Sequence, residues 1–403
     1  MLGTTPQGLT QDNPSPSTAP GRPPSQFRLL TASILLSLLL FLGLDGLWSA
    51  WVLRSTAPIS PASTCFASDP VRHHALQPEC SCDRHWGRNS YTFATNSLGF
   101  RDENIRAVPL TRTRPRILVL GDSFTEGMSS WADSYLGQIA ARFPRYEFLN
   151  GAVESYSPSN YLNVARALLD QGVHFDEVIV FIDMSDAQDE AAFYRDKDPS
   201  GAVDGPQQIV HNGGWYANLR LYITDHLLLT NTIAGYLERE AVKHGFYHLN
   251  VGHGPLFDLE RSAWTYRPVS GTQPYEIGYG PLGLQAGLAK EQSKMTLLWQ
   301  ELQQRNIPLS VVVYPWPAQI VHDTSDSKQV VMWRDWCAGK CQSFISVFPA
   351  FFALKEQCPP SQPGCWYLSD FIFGDEHYNV AGNALVADAV SKSLEEHPPL
   401  KRD

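Results

Sequence analysis

The hydrophobic and polar positions along the chain fall into three regimes. Up to residue 26, Pro, Ser, Thr and Gly dominate and large apolar side chains are few, which predicts a disordered leader over 1–26. Residues 29–44, LLTASILLSLLLFLGL, then carry no charge, with Arg28 ahead of them and Asp45, Trp48 and Trp51 behind. This pattern predicts a membrane span over 27–53. The uncharged core of 16 residues is short for a full crossing, and the apolar and aromatic stretch to Leu53 lengthens it. Arg22 and Arg28 favour a cytoplasmic N-terminus, and the tryptophans suit the far interface. We read the segment as a signal anchor. A cleaved signal peptide with Ser49 and Ala50 at its processing site is the alternative, and a buried core helix is the third reading.

Beyond residue 110, short continuous apolar runs alternate with helical patterns. Strands are predicted at 117–120, 146–149, 177–182, within IPLSVVVYPWP, and at 344–348, with helices over 134–143, 159–171, 284–305 and 381–392. Unbroken apolar strands between helices predict a parallel sheet covered on both faces, built from right-handed βαβ units. The domain so defined runs over 111–396, with a tail at 397–403. Residues 54–110 form an exported lead-in, in which 91–95 alternates as a strand and 96–99 reads as a turn. The stretch over about 191–283 is too long for one crossover. It is expected to be an insertion packed over the strand ends, with a helical pattern reaching about residue 244, and to form a lid or substrate groove. Trp131, Trp215, Tyr216 and Trp316 are candidates for stacking on sugar rings, against the plainer reading of each as a core residue.

Composition narrows the function. A chain of 403 residues can bury a large core, and 43% hydrophobic with 11% aromatic residues indicate a folded, enzyme-like protein. The net charge is −10 and the isoelectric point near 5.6, with no basic stripe, so nucleic acid is not an expected partner. Seven cysteines favour an oxidising compartment. Cys337 with Cys341, and Cys358 with Cys365, have spacings suited to local disulfides beneath the late part of the domain. Cys65, Cys80 and Cys82 make the number odd, leaving one thiol over or pairing between chains. A zinc site from C-x-C with His73, His74 and His85 ranks below disulfides, because no regular four-ligand spacing is present. His73 and His74 read as surface or packing residues.

The candidate chemistry lies at RILVLGDSFTEG. An apolar strand stops at Gly121, and Asp122, Ser123 and Thr125 follow with N-cap chemistry, so a helix N-terminus is expected beside the Ser123 hydroxyl. A serine at the carboxyl end of a parallel strand lies where open α/β sheets place their ligands. On that stretch alone, Ser123 reads as a helix cap. The late motif FGDEHYNVAGN changes the balance. A serine nucleophile needs a base and the base an orienting carboxylate, and Asp375 and His377 supply both from one loop.

With GDSF early and D-x-H followed by N-x-x-G late, the chain resembles the SGNH/GDSL hydrolase superfamily over most of its length beyond the membrane segment. The resemblance implies a flavodoxin-like three-layer α/β/α fold with a central parallel sheet, Ser123 as nucleophile, His377 as base and Asp375 as its partner, and no cofactor or metal. G-x-S-x-G is absent, which fits this family's looser turn after the strand. The family's two middle blocks each contribute an oxyanion donor. FLNGAVESYSP places Ser155 at the glycine position, where a backbone N–H is still available. VIVFIDMSDAQDE places Ser185, followed by Asp186, where the family has asparagine, and a hydroxyl has less reach than an amide. Loss of one oxyanion donor costs roughly 10²–10³ in rate, so catalysis survives it. Asp122 and Asp186 are expected in supporting positions. The phrase TNSLGFRD resembles one preceding the serine block in many bacterial SGNH proteins associated with surface polysaccharides.

The expectation is therefore an exported, membrane-anchored serine esterase or O-acyltransferase. Its substrate is expected to be an acyl ester, in particular acetyl on a cell-surface carbohydrate, as in the alginate O-acetylation proteins with their SGNH-like exported domains. A lipid or thioester acylhydrolase of the same fold is one rival. A non-catalytic polysaccharide-binding or assembly protein with drifted oxyanion blocks is the other.

Overall fold

The computed structural model describes residues 26–55, 65–86, 89–198, 201–205, 222–223, 226–246, 259–266 and 279–399. The leader over 1–25 and the candidate sugar-stacking residues Trp215 and Tyr216 lie outside them.

The apolar run becomes one continuous helix, Gln26–Ser55. It is long and apolar enough to cross a membrane, and its apolar window is not buried against the rest of the protein. Leu44, Leu47, Trp48 and Trp51 are exposed, whereas Asp45 and Ser49 are buried.

Twelve strands follow among the described residues: β1 (Phe66–Asp69), β2 (His73–Leu76), β3 (Ser81–Trp86), β4 (Asn89–Thr95), β5 (Arg101–Asp102), β6 (Arg116–Leu120), β7 (Glu147–Asn150), β8 (Glu177–Ile182), β9 (Arg195–Asp196), β10 (Val203–Asp204), β11 (Leu309–Val313) and β12 (Ser343–Ser346). Eight of them make the central sheet, in the order β12-β11-β8-β6-β7-β5-β4-β3. The five strands β6, β7, β8, β11 and β12 pair in parallel. Taken in chain order, they lie 2-1-3-4-5, the flavodoxin-like doubly wound arrangement.

Both faces of this sheet are buried, and successive residues of one strand feed opposite cores. Ile117 and Val119 join one apolar cluster with Tyr135, Leu136, Ile139, Val386 and Val390, which come from the helices Tyr135–Arg142 and Val380–Glu396. Leu118 and Leu120 join the other with Leu162, Leu168, Leu298, Leu302 and Trp333, from helices Pro158–Asp170, Leu284–Gln303 and Lys328–Cys337. This is why the strands read as unbroken apolar runs. The three-layer α/β/α expectation holds.

The differences are local. The last strand stops at Ser346 rather than 348, because Phe348 opens a helix with Pro349 in its first turn, where a missing N–H costs nothing. The lead-in does more than expected. Strands β3, β4 and β5 extend the sheet antiparallel from β7, so they belong to the same sheet as β6, the strand that leads to Ser123. In TNSLGFRD, Asn96 closes the turn by accepting the N–H groups of Leu98 and Phe100 and donating to Asp102. Cys337–Cys341 and Cys358–Cys365 are disulfides, as is Cys65–Cys80, and Cys82 is a buried free thiol. Pairing with Cys65 takes Cys80 out of any zinc set.

Candidate active site

Strand β6 ends at Leu120, and Gly121 then passes against Thr125 so closely that a Cβ would meet its Oγ1 at 2.0 Å. Only glycine fits there. The short helix Ser123–Glu126 follows, with Asp122 as its N-cap accepting the Phe124 N–H at 3.0 Å. Ser123 therefore stands at the carboxyl end of the first parallel strand, with its own N–H in the unpaired first turn of a helix.

The loop ahead of the Val380–Glu396 helix brings in the partners. His377 Nε2 lies 2.8 Å from Ser123 Oγ, and His377 Nδ1 lies 2.5 Å from Asp375 Oδ1. Asp375 Oδ1 also accepts the His377 backbone N–H at 2.8 Å, which locks the two-residue spacing of D-x-H. The second carboxylate oxygen accepts Trp86 Nε1–H at 2.8 Å, from the end of β3. Trp86 also meets the imidazole edge-on, and Phe124 lies over it at 4.4 Å between centroids. The phenylalanine of GDSF is thus one wall of the histidine slot. Tyr367 holds the loop from below: its hydroxyl accepts the N–H groups of Gly374 and Asp375.

Both members of the histidine–aspartate pair are buried. Burial pulls the imidazole down, but the Asp375 charge and hydrogen bond, with Glu376 and Glu154 nearby, outweigh it and hold His377 up at about 9. Burial pushes the Asp375 carboxyl up, and the His377 charge with the donors of His377 and Trp86 reverses this, leaving it below the usual carboxylate range.

The expected oxyanion residues divide. Ser155 lines the cleft beside Ser123 and has φ +61°, the left-handed region that glycine occupies most readily, as its alignment with the family's glycine implies. No described residue accepts the N–H of Ser123 or of Ser155. Ser185 also lines the cleft, but its hydroxyl and its N–H both donate to Asp183 Oδ1, at 2.7 Å. The N–H groups of Ser123 and Ser155 are thus left unengaged among the described residues, while the Ser185 hydroxyl is turned toward Asp183.

The supporting aspartates sit beneath. Asp122 accepts the Tyr314 hydroxyl, and burial with the neighbouring Asp183 charge pushes it well above the usual carboxylate range. Asp186 accepts the Asp183 N–H and the Tyr161 hydroxyl, and burial with Asp183 and Asp122 pushes it up likewise. Asp183 itself accepts Trp316 Nε1–H at 2.6 Å. Asp186 thus acts through Asp183 rather than facing the cleft, and Trp316 both lines the cleft and belongs to this buried network. Asp189, a further cleft residue, is pushed up to about 7 by burial, with Arg261 opposing.

Sequence reasoning missed two positioning residues. Trp86 follows no motif and is found only by folding β3 against the sheet. Arg101 lies inside TNSLGFRD: its buried guanidinium donates to the carbonyls of Glu126, Gly127 and Ser129, fixing the loop that leaves the serine helix. That phrase was the signal. His74 is a packing residue, bonded to the Glu154 carbonyl at 2.8 Å. The cleft itself has a volume of about 340 Å³ and opens over Ser123.

The order 2-1-3-4-5 makes a flavodoxin-like doubly wound α/β fold, in which a serine at the end of strand one and a late D-x-H loop bring Ser123, His377 and Asp375 into one hydrogen-bonded series. No family model matches the sequence, and no curated protein matches it. Solved structures to which the chain is similar include the psychrotrophic esterase EstA from Pseudoalteromonas, at 10% identity over 70% of this chain and 97% of that one, with a TM-score of 0.33. A putative lipolytic protein of the G-D-S-L family from Desulfitobacterium hafniense is similar at 11% identity over 70% and 100%, with a TM-score of 0.34. A variant of an acetyl xylan esterase from Geobacillus stearothermophilus is similar at 10% identity over 73% and 100%, also with a TM-score of 0.34.

Proposed function

We propose that this chain is an exported, membrane-anchored serine esterase or O-acyltransferase that acts on acetyl esters of a cell-surface carbohydrate through an acyl-serine intermediate. The observation that carries the reading is the continuous relay from Ser123 Oγ to His377 to Asp375, in a buried slot at the mouth of a cleft. Ser123 Oγ attacks the ester carbonyl carbon as His377 Nε2 takes its proton. The resulting oxyanion is held by the N–H groups of Ser123 and Ser155. Collapse breaks the carbon–oxygen bond to the alcohol, which leaves with the proton from His377. Water or a sugar hydroxyl then attacks the acyl carbonyl, giving its proton to His377, and as the carbon–oxygen bond to Ser123 breaks His377 returns that proton to Ser123 Oγ.

An apolar helix long enough to span a membrane and three disulfides support placement of the domain outside the cytoplasm. Around the cleft the carboxyls of Glu154, Glu376 and Asp375, with Asp189 partly ionised at neutral pH, outnumber Arg261 and His377, which suits a neutral ester better than an anionic one. The cleft's mixture of these groups with Trp86, Trp316 and Phe373 suits a short acyl group on a carbohydrate. The rival of a non-catalytic binding protein draws on one observation, the engagement of the Ser185 hydroxyl by Asp183.

Hydrolysis of p-nitrophenyl acetate by the full chain, beside Ser123→Ala and His377→Ala, separates the readings. Turnover lost in both variants, with an acetyl mass increment on the wild-type protein, supports the acyl-serine mechanism. A wild type that neither turns over nor acylates with several acyl donors favours the binding protein. Turnover indifferent to both substitutions removes Ser123 from the mechanism.

A further inference from the structure

The helix Leu228–Lys243, in the insertion, carries an apolar stripe that is exposed among the described residues. Leu229, Ile233, Tyr236 and Leu237 recur at i, i+4, i+7 and i+8 and are 42%, 45%, 64% and 61% exposed, while Gly235 and Val242 face inward. Exposed aliphatics at helical spacing call for a covering surface.

What covers them follows from where the helix begins. Its first turn has no cap of its own in sequence. The membrane helix supplies one. Asp45 accepts the N–H groups of Leu229 and Thr230 and the Thr230 hydroxyl, and Ser49 accepts the Leu228 N–H while donating to Asp45. A carboxylate that the hydropathy pattern places at the end of the span thus caps a second helix at the positive end of its dipole. The exposed Leu44, Leu47, Trp48 and Trp51 of the anchor lie around that junction, and tryptophans mark the interfacial depth.

The geometry points to the Leu228–Lys243 helix as a membrane-surface helix. It lies with Leu229, Ile233, Tyr236 and Leu237 in the headgroup and upper acyl-chain region of the bilayer that holds the anchor, and it carries the rim of the cleft to that surface. The far end of the helix makes the connection to the site. Arg239 lies over the ring of Phe373, a cleft residue two positions before Asp375, at 5.0 Å. Lys243 O accepts the Gly364 N–H, and His244 Nδ1 contacts Ser361 O, both in the loop closed by Cys358–Cys365. Sixteen helical residues span about 24 Å. The cleft rim therefore stands within that reach of the anchor's exit from the bilayer, where a membrane-held ester arrives without free diffusion. Interfacial helices of this kind pair a buried apolar face with a polar one, here ending in Arg239, Glu240 and Lys243.

The test uses the full chain in phosphatidylcholine–phosphatidylglycerol nanodiscs with an environment-sensitive fluorophore on Leu237→Cys, compared with Trp51→Cys and with the exposed Glu395→Cys. Unsubstituted protein measures background labelling of the buried Cys82. The expected result is blue-shifted emission at position 237 and quenching by lipids spin-labelled in the upper acyl chain, close to that at position 51 and severalfold above that at position 395. Asp45→Ala, which removes the cap and leaves the anchor in place, should move the 237 signal toward that of 395. A water-like 237 signal, quenched from solution as strongly as 395, overturns the proposal. So does a 237 label shielded from both quenchers that cross-links to a second chain, which makes the stripe a protein contact. None of these readouts requires turnover, so they stand apart from the test of the acyl-serine mechanism.

Discussion

Trp86→Phe removes the one donor that the lead-in strand gives the triad. Trp86 Nε1–H donates at 2.8 Å to the Asp375 oxygen that His377 leaves free, within a buried pair. A hydrogen bond to a charged acceptor contributes about 1.5–3 kcal/mol, and the phenyl ring replaces the donor without replacing the bond. The loss should depend on pH, because the bond favours the ionised carboxylate and so lowers the folded pKa of Asp375. Stability from such a group is present above its unfolded value and lost as pH falls through the depressed folded value. Urea unfolding should therefore show the variant less stable by about 1.5–3 kcal/mol at pH 7, with the gap narrowing toward pH 3. Any remainder at low pH is lost ring packing. Trp86 acts on the reaction through Asp375, so it is a positioning residue. With the carboxylate free to rotate, His377 loses its fixed orientation, and kcat/KM for p-nitrophenyl acetate should fall by about 10-fold, or about 1.4 kcal/mol. A variant as stable as wild type at pH 7, or one whose deficit is the same at pH 7 and pH 3, would refute the assignment of Trp86 to the carboxylate.

Further outcomes follow from the same geometry. With His377 held at about 9, the free enzyme rests protonated at neutral pH, so kcat/KM should rise with pH to a limb near 9; a limb near 6.5 would show that Asp375 does not hold the proton on the imidazole. The same raised value contributes stability that is fully present below about 6.5 and lost as pH rises through about 9, which unfolding of Ser123→Ala titrated across that window should reveal. Ser185→Ala should lower kcat only a few fold, since its hydroxyl donates to Asp183; a drop of roughly 10²–10³ would make the hydroxyl an oxyanion donor after all. Replacing Cys358 and Cys365 by serine opens an eight-residue loop and should cost about 2.5 kcal/mol in unfolding free energy by the loop-entropy relation. An unchanged unfolding midpoint would show that the loop is held by packing alone.

The parts of the fold carried by local pattern were legible. Ile117 to Leu120 alternate between two cores, so every position is apolar, and such a run announces a buried parallel strand without any tertiary knowledge. The triad was legible because its motifs encode local geometry: Gly121 must be small, Asp122 must cap, and D-x-H places a carboxylate on the histidine's own N–H. What pattern did not carry was contact across the sheet. Trp86 reaches Asp375 over 289 positions, and nothing near residue 86 signals it. Ser185 lines the cleft, while the direction of its hydroxyl depends on Asp183, two residues back, whose role no periodicity reveals. Asp45 read as the end of a hydrophobic run, because its cap belongs to a helix more than 180 positions away.

The union of β3 with the late catalytic loop also fixes the order in which the site comes to life during synthesis. The strand bearing Trp86 emerges early, but it joins the central sheet only through β4 and β5, and β5 has no place there until β7 has been made. The nucleophile follows at residue 123, and its base arrives some 250 residues later. Through that interval Ser123 is an ordinary alcohol, too weak to attack an ester. On the proposed mechanism, reactivity switches on only when the two ends of the chain close over one another, so a half-finished or clipped molecule carries the serine without its chemistry.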